Sequence, residues 1–148
     1  MIGILLVTHN GLGESLVDCV RHVMGKVPTN IRVLSVLAED DPQSKEVEGR
    51  ALIAELDTGQ GVLLLADMLG ATPCNVVRRL YQRGKVEGVV GVNLPMLLRT
   101  LCYCSNRTLT EMVLTAVEGG RNCIVAMRSE EEMNREPELN VAARCIDN

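Results

Sequence analysis

The chain has 148 residues, 47% of them hydrophobic and 23% charged, and 15 Lys+Arg against 19 Asp+Glu give a net charge of −4. That length suits one domain with a buried core, and the composition excludes a disordered or membrane-embedded chain. With no Trp, no Phe and only Tyr81 and Tyr103, the core is aliphatic, and neither stacking platforms nor a basic face is on hand for nucleic acid.

Residues Ile2 to Val7 form a continuous apolar run, the pattern of a parallel strand covered on both faces. The run stops at Thr8-His9 with no basic segment before it, too short for an export signal or a membrane span. Leu12 to Met24 carries apolar residues at helical spacing. Ile31 to Leu37 is a second strand. Asp41-Pro42 supplies start signals for a helix reaching Leu56. Gly61 to Ala66 is a third strand, and Pro73 opens a helix that continues to Tyr81. Val86 to Val92 is a fourth strand. Helices over Pro95–Cys104 and Thr108–Glu118 follow, with a fifth strand expected over Asn122–Met127.

This alternation predicts a doubly wound, mainly parallel α/β sheet in the order 2-1-3-4, with helices on both faces. Residues 1–128 read as one domain. The segment 129–148 opens with Ser129-Glu130-Glu131-Glu132 and reads as a charged tail, a peripheral helix or arm with a weakly apolar stretch from Val141 to Ile146. The six cysteines are expected to be reduced, as in a cytoplasmic protein. The spacing Cys102-Tyr103-Cys104 is too short for a zinc knuckle, so no metal is expected.

Function in an open parallel sheet gathers at the carboxyl ends of the strands. Strand one ends in Thr8-His9-Asn10-Gly11, and strand three in Asp67 to Asn75. If these strands are neighbours, His9 and Asp67 converge. A carboxylate that takes a hydrogen bond from one imidazole nitrogen fixes the tautomer and leaves the other nitrogen free to attack. Phosphoryl transfer further needs donors for the transferred oxygens, and Leu69, Gly70, Ala71 and Thr72 offer them where a helix starts. Each residue also has a plainer reading. Histidines are more often structural, and His22 on the first helix is read so; Asp67 could cap a helix, and Thr72 before Pro73 could be an ordinary N-cap. Gly11 and Gly13 make half of a dinucleotide fingerprint, which fails at Leu16, and no GxxxxGK[ST] loop is present. No cofactor is expected, and ATP is not the expected donor.

Three blocks in order resemble the IIA components of the mannose/fructose/sorbose type of the bacterial phosphotransferase system. They are Ile4 to Gly11 with Gly13-Glu14, Asp67 to Asn75, and Gly91-Val92-Asn93-Leu94-Pro95-Met96, and the resemblance covers residues 1 to about 127. It implies that His9 accepts a phosphoryl group from the phosphocarrier HPr and passes it to a IIB component, so that the membrane is met only through the permease. It also implies that Asp67 orients His9, that Leu69 to Thr72 bind the phosphoryl oxygens, and that the protein is a homodimer exchanging a C-terminal strand, here about 122–127. The family's usual Gly-Gly pair is Gly70-Ala71 here, an added methyl that would narrow the loop if the second position required positive φ. A stand-alone regulatory IIA protein, whose phosphorylation controls a partner, is the alternative. Dihydroxyacetone-kinase phosphocarriers share the fold and an early histidine but differ in the loop.

Overall fold

A computed structural model describes residues 1–134. Strand β1 (Gly3–His9) has six of its seven residues buried, because it lies in the middle of the sheet with helices on both sides. β3 (Val62–Ala66) is buried throughout. β2 (Ile31–Val36) and β4 (Val86–Val90) take the edges and alternate more, with polar Arg32, Ser35 and Glu87 among their residues. The order is β2-β1-β3-β4, and all three pairings are parallel. This is the expected fold class and strand order.

Alternation along β1 divides the core into two layers. Ile4 and Leu6 face one side, with Leu63 and Leu65 of β3 and the helices α1 (Leu12–Met24), α4 (Leu94–Tyr103) and α5 (Leu109–Arg121). Leu5 and Val7 face the other side, with Val62 and Leu64, against α2 (Pro42–Leu56) and α3 (Thr72–Leu80). Each fully buried Leu or Val contributes about 1.5–3 kcal/mol, so the two central strands anchor the fold.

Local signals explain where the helices begin. Asp41 accepts a hydrogen bond from the Ser44 N–H ahead of α2. Asn93 caps α4 by accepting from the Met96 N–H, and Thr108 with Glu111 forms a capping box for α5. The last of these helices runs to Arg121, three residues past its expected end at Glu118.

Two expectations need correction. The segment Asn122–Met127 forms no strand: it leaves α5 in a turn and continues as irregular chain, with Ile124 and Met127 exposed. Its β-branched residues suit a strand, but a strand needs a ladder partner, and this segment pairs with none of the described strands. The thiols are also not all reduced. Cys19, Cys74, Cys104 and Cys123 are free, whereas Cys102 is disulfide-bonded. In the tail, Glu130–Asn134 is a short helix, α6; the expected apolar stretch from Val141 to Ile146 lies outside the described residues. Among the described residues, no helix is long and apolar enough to cross a membrane.

At Gly3 the start of β1 passes close to the end of α2. A Cβ there would sit 2.7 Å from Leu56 Cβ and 3.0 Å from the Leu56 carbonyl oxygen. Gly3→Ala is therefore expected to destabilise the protein by about 1–3 kcal/mol, measured as a lower urea midpoint with an unchanged slope.

Candidate functional site

The register sets His9 and Asp67 at the same end of neighbouring strands. Val7 pairs with Ala66, so Thr8 and His9 run on beside Asp67, the first residue after β3. One carboxylate oxygen of Asp67 then holds His9 twice. The His9 backbone N–H donates to Asp67 Oδ2 at 2.9 Å, and His9 Nδ1 meets the same oxygen at 2.7 Å. An ionised carboxylate can only accept, so Nδ1 carries the proton and the lone pair lies on Nε2. The other oxygen, Oδ1, accepts the Met68 N–H at 2.9 Å.

These contacts set the charge state of Asp67. Its side chain is 10% exposed. Burial alone, the largest single influence, pushes the carboxyl up. The His9 amide and ring hydrogen bonds, the charge interaction with His9 and the Met68 amide together outweigh it and hold Asp67 below the usual carboxylate range. Asp67 is thus ionised at neutral pH. The His9 side chain is 40% exposed, open to a large reaction partner.

The loop after Asp67 supplies donors. Gly70 takes φ +78, the left-handed turn that brings the chain back to start α3. Ala71 is the N-cap at φ −109, ψ 171, an ordinary extended conformation. The methyl that replaces the family's second glycine therefore causes no backbone strain. Thr72 is the first helical residue, not the cap, and no side chain caps α3. Among the described residues, the N–H groups of Leu69, Gly70, Ala71 and Thr72 have no acceptor. They lie free at the positive end of a helix, where an anion is favoured. Met68 and Leu69 are exposed beside them.

Sequence reasoning treated two neighbouring residues too lightly. Gly13 looked like part of a broken fingerprint, yet a Cβ there would sit 2.6 Å from Val33 Cγ1 and 2.7 Å from Thr8 Oγ1. It lets α1 settle directly on the sheet behind His9. Asn10 has φ +47, the one positive value at a non-glycine residue among those described; the Asn-Gly pair was the signal for that turn. In the third block, Asn93 caps α4 and donates through Nδ2 to the Gly120 carbonyl, which ties α4 to α5. No cluster of three or more His, Cys, Asp or Glu suited to a metal occurs among the described residues.

Comparison with known proteins shows the family. Residues 3–117 match the family model described as the PTS system fructose IIA component. The chain belongs to that family. It is 30% identical over 130 residues to the mannose-specific EIIAB component of Escherichia coli K12, covering 86% of this chain and 40% of that protein. It therefore spans less than half the length of the curated relatives it matches. Its fold is that of EIIA from Streptococcus agalactiae, with a TM-score of 0.75, 22% identity and coverage of 85% and 97% of the two chains. The mannose/sorbose-specific IIA subunit from Enterococcus faecalis has a TM-score of 0.71 at 21% identity, covering 86% and 96%.

Because its folded pKa is lowered, Asp67 stabilises the native state above its unfolded value of about 3.9. That contribution is lost as the pH falls through the lowered value. The stability advantage of the natural protein over Asp67→Asn is expected to be full at neutral pH, to begin to fall near about pH 4 and to vanish only below the lowered folded value, which urea unfolding across pH would show.

Proposed function

We propose that this protein is a phosphoryl carrier that accepts a phosphoryl group on Nε2 of His9 from phospho-HPr and passes it to a IIB component. The observation that carries this reading is the 2.7 Å contact of His9 Nδ1 with Asp67 Oδ2. It aims the Nε2 lone pair outward from an exposed ring. In the transfer, that lone pair forms a P–N bond as the donor's P–N bond breaks, and its electron pair returns to the donor imidazole. His9 then bears a phosphoryl group on Nε2 and a proton on Nδ1, so positive charge develops on the ring. The ionised Asp67 offsets that charge without taking the proton. The unpaired N–H groups of Leu69, Gly70, Ala71 and Thr72 receive the phosphoryl oxygens. Neither a cofactor nor a metal enters the step. Such a relay works in the cytoplasm and meets the membrane only through its permease.

The homodimer belongs to the same proposal. β4 is an edge strand, and beside it lies a cavity of about 160 Å³ lined in part by Val89, Met96, Val117 and Ile124. Exchange of the 122–127 segments between two copies would supply the ladder partner each segment lacks and cover that edge. Sedimentation of the full chain is expected to give twice the monomer mass, and Ile124→Asp to shift it toward monomer; a monomeric natural protein would remove the exchange.

Radiolabel transfer from phospho-HPr tests the carrier. His9→Ala is expected to take no label, while Asp67→Ala slows labelling by about 10–100-fold through lost orientation. Full labelling of His9→Ala would end the assignment. The phosphohistidine should be the Nε2 isomer by NMR.

A further inference from the structure

The corner that follows His9 is over-determined. Only two residues, Asn10 and Gly11, join the end of β1 to the start of α1. Upstream, the His9 N–H is held by Asp67, and the Asn10 N–H donates to the Val36 carbonyl at 3.1 Å. Downstream, α1 packs closely on Val33 and Thr8 at Gly13, where an added Cβ would sit 2.6 Å from Val33 Cγ1 and 2.7 Å from Thr8 Oγ1. Strand and helix are thus both fixed, and the reversal between them falls on Asn10 at φ +47. The Asn10 side chain is exposed and makes no hydrogen bond among the described residues. What this position uses is a residue that tolerates the left-handed region, as Asn does better than other residues with a Cβ.

We infer that Asn10 is a positioning residue for His9: its left-handed backbone turn, rather than its amide, holds the imidazole against Asp67. A residue that resists this turn passes the change toward His9 more readily than into α1, which is packed closely on the sheet at Gly13. The distortion is released at His9, whose ψ adjoins the Asn10 φ, and the ring leaves Asp67 Oδ2. The effect on transfer rests on the phosphoryl-acceptor reading; the effect on the ring does not.

The test uses the full chain with Asn10→Gly, Asn10→Ala and Asn10→Val, read in two ways. The first is nitrogen-resolved NMR of the unphosphorylated His9 ring. The natural protein and Asn10→Gly are expected to show an exchange-protected Nδ1–H with a bare Nε2. In Asn10→Val that signal is lost or averaged between tautomers, while the amide resonances of β1 and β3 stay native. Asn10→Ala gives a milder form of the same change and serves if Asn10→Val does not fold. The second readout is the initial rate of labelling by phospho-HPr, expected to be unaltered in Asn10→Gly and about tenfold lower in Asn10→Val, the size of a left-handed penalty. A protected Nδ1–H in both Asn10→Ala and Asn10→Val overturns the inference, as does its loss in Asn10→Gly. If the natural protein takes no label, the carrier reading fails, and the ring spectra still decide the role of Asn10.

Discussion

One carboxylate oxygen, Oδ2 of Asp67, receives both the backbone and the ring of His9, and much of the site is arranged around that double contact. It can form only if β1 and β3 are adjacent, parallel and in register, so that both residues emerge at the same end. Their buried faces enforce this. A slip of one residue would exchange the positions of Ile4 and Leu5, sending every apolar side chain of β1 to the opposite layer. The hydrophobic sorting of Ile4 and Leu6 from Leu5 and Val7 therefore also sets the tautomer of an imidazole several residues away.

The rest of the site is mostly backbone. Gly70 turns the chain, Ala71 opens α3, and the N–H groups of Leu69 to Thr72 have no acceptor among the described residues. Backbone donors on a rigid frame lose little entropy when they receive a charge that comes and goes, and they impose no fixed counter-charge. On the proposed carrier reading, the phosphoryl group must be released as readily as it is taken. A lysine or arginine held there would favour the charged state too strongly.

Much of this was legible in the residues, for physical reasons that differ from part to part. The unbroken run Ile4-Leu5-Leu6-Val7 demands cover on both faces, and that demand alone places β1 centrally in the sheet. Asp67 directly after an equally apolar strand then has few places to be except beside His9. The limits lie where a pattern has no local meaning. The stretch Cys123-Ile124-Val125 has the composition of a strand, but composition does not say whether a partner is within reach. Ala71 raised a concern because sequence cannot assign φ; the left-handed value falls one residue earlier, at Gly70. Thr72 had the look of a cap and is instead the first residue of the helix, since Ala71 already occupies the cap. Gly13 could not be understood without knowing that Val33 and Thr8 lie beneath it.

His9 and Asp67 are separated by 58 positions in the chain, and this has a consequence during synthesis. The histidine is made before its orienting carboxylate, which follows roughly 3–12 seconds later at ordinary rates of elongation. Until then the imidazole has no fixed tautomer and no anion cradle beside it. A nascent or truncated chain ending before β3 carries the nucleophile without the means to aim it. On the proposed carrier reading, competence arrives only when the central pair of strands closes.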